Sequence, residues 1–184
     1  VSDGNVLAHW SAVSHTSVYI SICSSIVRRT TDFNSVISSL NNRKSHDIRV
    51  AMSCIDNVVQ SCIFFSGEKT GALIVVERST KLGEHLSHGV ILNADMSALL
   101  IRNIFFDIAP MHDGAMIIRS KRVYAAGCYL PLSNADVNKD LGTRHRAALG
   151  LSEVSDAIVI VISEETGTIS IAFDGELVRG FDAE

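Results

Sequence analysis

Residues 71–77, GALIVVE, form a continuous apolar run that is too short for a helix. The run is rich in β-branched residues and is typical of a strand buried on both faces of a sheet. Residues 157–163 (AIVIVIS) and 168–173 (TISIAF) have the same character and are joined by the short polar segment EETG. The sequence therefore predicts a sheet with a closed apolar centre.

Three helices are predicted beside these strands. Apolar residues between positions 47 and 63 recur with i, i+3, i+4, i+7 spacing, which indicates a helix packed on the sheet. Residues 96–105 (MSALLIRNIF) predict a second helix, with Asp95 as its N-cap. A third helix is expected to begin near Thr143.

A hairpin is predicted between the second and third helices. Residues 115–119 and 123–130 form its strands, and residues 120–122 form its turn. Asp174 and Gly175 predict another turn after the last apolar strand. Strands that alternate with helices and hairpins indicate an α/β fold, with a mixed central β-sheet flanked by helices and an N-terminal helical extension.

Residues 1–45 are predicted to be that extension, and residues 46–184 a single domain. The extension has partial helical spacing, and its polar end at residues 38–44 is the predicted boundary. Residues 5–27 carry no formal charge, yet they are too polar for a membrane-spanning helix, which needs about 20 mostly apolar residues. The sequence begins at Val1 without a secretory signal, so membrane contact is expected only through a missing N-terminal segment.

The composition predicts an ordinary globular domain. Hydrophobic residues make up 47% and charged residues 20%, a balance that excludes a disordered chain. The formal net charge of −4 argues against a nucleic-acid-binding protein, which needs a basic face. The four cysteines lack the paired spacing of a metal site, which predicts reduced, buried thiols and a cytoplasmic location.

The segment MHDGA at residues 111–115 places polar side chains directly before a predicted strand. An Asp-Gly pair is often only a turn. The alternative is a site for a hard metal ion, in which His112 and Asp113 face substrate phosphates and Gly114 allows close backbone approach.

The segment GTRHRAA at residues 142–148 places basic side chains at the start of the third helix. Helix N-termini attract anions, and arginine forks match phosphate geometry. These features make Gly142, Thr143, Arg144 and His145 candidates for phosphate binding. The alternative is a capped helix with solvated basic residues.

The segment SEETG at residues 163–167 joins two predicted strands. A solvated hairpin tip explains it equally well. If Glu164 or Glu165 faces the same crevice as Asp113, the carboxylates could bind a catalytic cation, and Ser163 could donate to a phosphate oxygen.

The segment CYLPLS at residues 128–133 ends a predicted strand with an aromatic ring and two leucines. Core packing is the common reason for such residues. Tyr129 and Leu130 could instead enclose a flat base while backbone groups contact its edge.

The segments GALIVVE, MHDGA, CYLPLS, LGTRHRAALG and SEETG occur in the order and approximate spacing of the diadenylate cyclase (DAC) domain family. The chain resembles this family over about residues 47–181, and the DGA and RHR elements are intact. The resemblance implies an active member that joins two ATP into cyclic di-AMP and two pyrophosphates, with Mg²⁺ or Mn²⁺ as cofactor.

The resemblance also implies a partner and a set of site residues. The product is two-fold symmetric, so two sites must meet face to face in a dimer or larger homo-oligomer. By resemblance, the catalytic residues are Asp113, Gly114, Arg144 and His145, the ATP contacts are Tyr129, Leu130, Gly142, Thr143, Arg144, His145 and Ser163, and the metal ligands are His112, Asp113, Glu164 and Glu165.

Two other functions use similar residues. A catalytically silent module could bind ATP or cyclic di-AMP, but it has no need of the metal site that HDGA and SEETG indicate. A phosphohydrolase could use carboxylates and a cation to activate water, and would release AMP or ADP. Only the family resemblance favours the cyclase over the hydrolase.

Overall fold

The structure is a computed structural model, and it describes residues 42–83, 88–134 and 141–181. The helices predicted within residues 1–41 lie outside the described residues. So does Cys23. Cys62 and Cys128 are buried as predicted, whereas Cys54 is only partly buried, and for it the prediction was wrong.

The described residues form three helices and seven strands. The helices are α1 (Asn42–Glu68), α2 (Ala98–Ile104) and α3 (Thr143–Val154). The strands are β1 (Ala72–Val76), β2 (Val90–Asp95), β3 (Ala115–Arg119), β4 (Arg122–Cys128), β5 (Ile158–Ile162), β6 (Ile169–Phe173) and β7 (Glu176–Arg179).

All seven strands belong to one sheet, in the order β2-β4-β3-β1-β5-β6-β7. β1 pairs with β3 in parallel, and every other pair in the sheet is antiparallel. The predicted mixed central sheet flanked by helices is therefore confirmed, with β1 at its centre.

The central strands are buried because helices cover both faces of the sheet. Alternate side chains of a strand point to opposite faces. In β1, Ala72 and Ile74 pack in the cluster with α1 and α2, whereas Leu73 and Val75 pack in the cluster with α3. The continuous apolar run follows from this double burial.

Helix α1 is the long core helix of this fold. It begins at Asn42 rather than at residue 47, so the end of the predicted polar boundary is helical. Val59 and Phe65 are buried in the core. The segment Arg49–Glu68 is long and apolar enough to cross a membrane by length and composition alone, and 33% of it is buried inside the protein.

Two local predictions were wrong. Asp95 does not cap α2 but ends β2, and the N-cap is Ser97, whose Oγ accepts a hydrogen bond from the Leu100 N–H at 3.1 Å. Arg122 is not in the hairpin turn but is the first residue of β4. The turn has only two residues, Ser120 and Lys121, because both adopt the positive φ of a tight hairpin.

The predicted turn at Asp174 and Gly175 is confirmed, and both residues have positive φ. Two strands were missed. β2 and β7 lie at the two edges of the sheet and expose most of their residues, so neither has the apolar run or the clean alternation that predicts a strand.

Glu77 anchors the end of β1 opposite the predicted site segments. Its side chain is 1% exposed and accepts two hydrogen bonds from Arg119, at 2.7 and 2.6 Å, and one from Lys81 at 3.1 Å. Burial alone would raise the pKa of Glu77, but these donors and the Leu82 N–H together hold that pKa below its ordinary value. The carboxylate therefore stays charged inside the fold.

Gly150 marks the closest contact between α3 and the segment after β4. A Cβ there would lie 2.3 Å from the Pro131 carbonyl oxygen and 2.6 Å from the Ser133 nitrogen, both backbone atoms. We expect Gly150→Ala to lower the free energy of unfolding by roughly 1–3 kcal/mol through overpacking, although alanine is the better helix former. Chemical denaturation measures the difference.

The matched control is Gly67→Ala, near the end of α1, where no atom lies within 4 Å of the Cβ position. Its stability should equal or exceed that of the wild type. Equal stability of the Gly150 and Gly67 variants would contradict the tight contact.

Candidate functional site

The site segments predicted from the sequence all lie at the same end of the strands, along the side of the sheet where those strand ends meet. This side is called the edge of the sheet below. Because β1 is parallel to β3 and antiparallel to β5, the first residues of β1 and β3 share this edge with the last residue of β5. Antiparallel pairing of β3 with β4 adds the end of β4. Gly71, Gly114, Tyr129 and Ser163 therefore follow or precede neighbouring strand ends.

A cavity of about 280 Å³, here called the α3 pocket, opens at this edge between the start of α3 and the β5–β6 turn. It brings together the predicted segments at residues 142–145 and 163–165. The residues lining it are Gly142, Thr143, Arg144, His145, Ile162, Ser163, Glu164, Glu165, Thr166 and Arg179.

The backbone at the start of α3 is suited to an anion. Gly142 is the N-cap, in an extended conformation and without a side chain that could accept from the first turn. The N–H groups of that turn point along the helix axis and carry the positive end of the helix dipole. The His145 N–H already donates to the Gly142 carbonyl at 3.1 Å, so the Thr143 and Arg144 N–H groups are those that an anion in the α3 pocket would bind.

Arg144 and Glu164 face each other across the pocket. The Arg144 Nη1 donates to Glu164 Oε2 at 2.6 Å. The side chain of Arg144 is 24% exposed and that of Glu164 is 63% exposed, so the pair is only partly shielded from solvent. The predicted phosphate contact is thus already bonded to one of the predicted metal carboxylates.

His145 is buried at the pocket wall. It is 6% exposed, and its Nε2 has no hydrogen-bond partner among the described residues. Burial lowers the pKa of His145, Arg179 lowers it further, and Glu165 opposes the shift. The unpaired nitrogen is itself buried, so a phosphate would have to lie directly against the ring to bond with it.

The β5–β6 turn forms the opposite wall. Ser163 Oγ accepts from the Thr166 N–H at 3.3 Å, and the Ser163 carbonyl accepts from the Gly167 N–H at 2.9 Å. The Ser163 hydroxyl can still donate its proton. Gly167 has positive φ, and a Cβ there would lie 2.4 Å from the Ser66 carbonyl oxygen, so this turn packs on the end of α1.

The segment before β3 holds its polar side chains in a defined arrangement. His112 Nδ1 lies 2.7 Å from the Ala109 carbonyl oxygen, which can only accept, so in the neutral ring the proton is on Nδ1 and the lone pair on Nε2. Asp113 is exposed. Gly114 has a φ of +112°, and a Cβ there would lie 2.8 Å from the backbone of Gly127.

The sequence predicted that Tyr129 and Leu130 end the strand, but β4 ends at Cys128 and both residues follow it. Tyr129 is exposed, with its ring centroid 5.4 Å from that of His88. The segment then runs onto α3, where the Ser133 N–H donates to the Arg146 carbonyl at 3.0 Å. The aromatic ring and the start of α3 are thereby held on one scaffold.

A family model described as DisA bacterial checkpoint controller nucleotide-binding, abbreviated DAC, matches residues 59–177. The chain belongs to the DAC family. This matched range includes every candidate site residue predicted from the sequence, and it includes all seven strands except the end of β7.

Several proteins resemble this DAC chain. The cyclic di-AMP synthase CdaA of Bacillus subtilis is 44% identical over 131 residues, which cover 71% of this chain and 48% of the relative. A diadenylate cyclase of Listeria monocytogenes is 47% identical over 131 residues, which again cover 71% of this chain and 48% of the relative. The chain thus spans about half the length of these curated relatives.

Solved structures resemble the DAC chain as well. The crystal structure of a double mutant of DacA from Staphylococcus aureus has a TM-score of 0.68 and 44% identity, and covers 70% of this chain and 87% of that one. A hypothetical membrane spanning protein from Bacillus cereus has a TM-score of 0.64 and 29% identity, and the match covers 96% of this chain and 98% of that one.

The predicted metal ligands of the DAC chain fall into two groups. Glu164 and Glu165 line the α3 pocket, whereas His112 and Asp113 precede β3. β1 separates β3 from β5, and two strand spacings amount to about 10 Å. Within the described residues no three His, Cys, Asp or Glu side chains lie close enough to hold a metal ion by themselves.

A larger cavity, about 400 Å³, lies at the opposite edge of the sheet between α1 and the ends of β1 and β3. Its walls include Cys54, Ile55, Val58 and Ile118. Glu77 also lines it, but that carboxylate already bonds to Arg119. The α3 pocket therefore remains the candidate site of the DAC chain, because it holds the uncapped helix start and the unpaired histidine nitrogen.

Two residues of the site were missed. Arg179 comes from β7, an edge strand without a sequence signal, and it acts on the pKa of His145. Gly71 was included only as the first residue of a strand. A glycine at a strand start can signal close approach of another group, and the Arg144 guanidinium lies over it here.

We expect the stability of the DAC domain to fall as the pH falls below about 6.5, the ordinary histidine pKa. The folded pKa of His145 is lowered, so the unfolded chain binds more protons in this range, and protonation favours unfolding. In His145→Gln the loss between about pH 7.5 and 5.5 should be smaller, by at most about 1.4 kcal/mol per pH unit. Urea unfolding across this range measures it, and parallel curves would contradict the burial effect.

Proposed function

We propose that this DAC domain condenses two ATP molecules into cyclic di-AMP and releases two pyrophosphates. The α3 pocket is the observation that carries the proposal, because it combines an uncapped helix start, an arginine and a buried histidine nitrogen at one place. Such a combination suits a polyphosphate. The names of the relatives from B. subtilis and L. monocytogenes support the same reaction.

The triphosphate would lie against the start of α3. The Thr143 and Arg144 N–H groups, together with the Thr143 hydroxyl, would donate to phosphate oxygens. Arg144 would add charged hydrogen bonds, and His145 and Ser163 would each donate one more. These contacts would hold the α-phosphorus so that the attacking 3′-hydroxyl of the other ATP lies in line with the departing pyrophosphate. Positioning supplies most of the catalysis in phosphoryl-type transfer.

The adenine would lie near the end of β4. Tyr129 is exposed there and offers an aromatic face. Leu130 is partly buried against the core cluster of α3, so only its remaining exposed part could touch the base. Because the following segment is bonded to α3, the base and the triphosphate would be held on one scaffold.

We assign a divalent cation, Mg²⁺ or Mn²⁺, to His112 and Asp113, because the other two predicted ligands, Glu164 and Glu165, lie about 10 Å away across β1 and Glu164 is bonded to Arg144. The exposed Asp113 carboxylate is the oxygen ligand that such a hard ion prefers, and His112 beside it would be a secondary nitrogen ligand. When bound, the cation would neutralise phosphate charge and make pyrophosphate a better leaving group. Asp113 would also lie near the 3′-hydroxyl that attacks.

The reaction requires two copies of the domain. Each ATP must present its 3′-hydroxyl to the α-phosphorus of the other, so one subunit holding one ATP cannot finish the product. We infer a homodimer, alone or within a larger homo-oligomer, whose two α3 pockets face each other across a two-fold axis. The domain would work in the cytoplasm, without a nucleic-acid partner.

Incubation with ATP and Mn²⁺, followed by mass spectrometry of the products, tests the proposed reaction. We expect cyclic di-AMP and pyrophosphate, because the residues at the strand edge suit two in-line transfers. AMP or ADP as the main product would indicate a phosphohydrolase. Tight binding of ATP or cyclic di-AMP without any turnover would indicate a silent binding module.

Asp113→Asn serves as the matched variant in that assay, because it removes the charge and nearly preserves the size. Turnover should fall about 100-fold or more, as for loss of a general base or metal ligand. The exposed position of Asp113 predicts an unchanged unfolding curve. Wild-type activity at saturating metal would remove Asp113 from the site.

Specific activity should fall when the protein is diluted. The expected cause is dissociation of the dimer, since each subunit supplies only half of the reacting atoms. Activity is measured over a dilution series, with mass photometry on the same samples. Constant specific activity in a sample shown to be monomeric would contradict the two-copy mechanism.

A further inference from the structure

We propose that Glu164 is a positioning residue, which holds the Arg144 guanidinium against Gly71 so that its remaining N–H groups face the nucleotide phosphates. This inference rests on the proposed function of the α3 pocket and deepens it. It assigns the carboxylate of Glu164 to the arginine and removes it from the cation.

The hydrogen bond geometry leaves the arginine available to a ligand. Arg144 donates from Nη1 alone to Glu164 Oε2, at 2.6 Å. A guanidinium has five N–H donors in one plane, so a single bond at one corner fixes its orientation and leaves the other edges for phosphate oxygens. A free arginine side chain would lose much more rotamer freedom when ATP binds.

Gly71 forms the floor under this pair. A Cβ at Gly71 would lie 2.7 Å from Arg144 Nη1, 2.8 Å from Arg144 Cζ and 2.9 Å from Glu164 Oε2. The guanidinium and the carboxylate therefore both rest on the backbone just before β1. Three elements, the start of β1, the start of α3 and the end of β5, meet at one point and define where the arginine lies.

The sign of the effect on ATP affinity separates this role from two others. A carboxylate beside a triphosphate repels it, so if Glu164 acted only through its charge, its removal would strengthen nucleotide binding. If Glu164 held the cation, its removal would raise the concentration of Mg²⁺ required. A positioning role predicts weaker binding at an unchanged Mg²⁺ requirement.

The test uses isothermal titration calorimetry of the wild-type protein and its variants with adenosine 5′-(α,β-methylene)triphosphate in Mg²⁺. We expect Glu164→Ala to raise the Kd about two- to fivefold, the range for a partly exposed ion pair. Glu164→Gln keeps an acceptor oxygen, so its Kd should lie between those of the wild type and Glu164→Ala. Glu176→Ala removes an exposed carboxylate at the opposite edge of the sheet and should bind as the wild type does.

A double-mutant cycle identifies the partner. If Glu164 acts through Arg144, Arg144→Ala and the double variant Arg144→Ala/Glu164→Ala should have the same Kd. Additive losses would overturn the proposal, as would tighter binding by Glu164→Ala. A raised half-saturating Mg²⁺ concentration in Glu164→Ala would return this carboxylate to the cation.

Gly71→Ala tests the contact between Arg144 and Glu164 by placing a methyl group against both side chains. The atoms that its Cβ meets are the far ends of two flexible side chains, so the fold should persist while the pair is displaced. We expect its Kd to rise at least as much as in Glu164→Ala, with Gly67→Ala as the matched glycine control. Wild-type affinity in Gly71→Ala would overturn the role of the floor.

The cyclase reaction can fail separately from this inference. If the wild-type protein binds the analogue but makes no cyclic di-AMP, the proposed reaction is wrong, and the cycle still decides the role of Glu164. If the wild-type protein does not bind the analogue, both are overturned.

Discussion

The parallel pairing of β1 with β3 places the candidate site segments at the same end of the strands. Every other pair in the sheet is antiparallel, so this one pair decides which strand ends share an edge. If β3 ran the other way, the segment that contains Asp113 would lie at the Glu77 edge instead. The double burial of β1, with α1 and α2 on one face and α3 on the other, stabilises this arrangement.

Close backbone contacts connect the helices to that edge. The β5–β6 turn packs on the end of α1 through Gly167, and α3 packs on the segment after β4 through Gly150. Side chains such as Arg144 then extend from elements whose relative positions are already set. The polar groups of the site consequently need few bonds to one another, and the Nε2 of His145 remains unpaired in the described structure.

The parts of the fold that could be predicted from the sequence are those governed by burial. β1, β5 and β6 are apolar runs because both of their faces are covered, whereas the edge strands β2 and β7 face solvent and have no such pattern. The site segments could be recognised from their motifs and their order. Their partners could not, because the contact of Arg144 with Glu164 joins residues 20 apart through side-chain geometry that no spacing encodes.

The contact between α3 and the segment after β4 has a consequence for ligand selection. Gly150 meets the backbone of Pro131 and Ser133, and a hydrogen bond joins Ser133 to Arg146, so the distance from Tyr129 to the start of α3 is a backbone dimension. This segment therefore limits the length of any ligand that touches both Tyr129 and the start of α3. Side-chain substitutions can change which chemical groups bind at Tyr129 or at the start of α3. The ligand length that fits between them is set by the backbone and does not change.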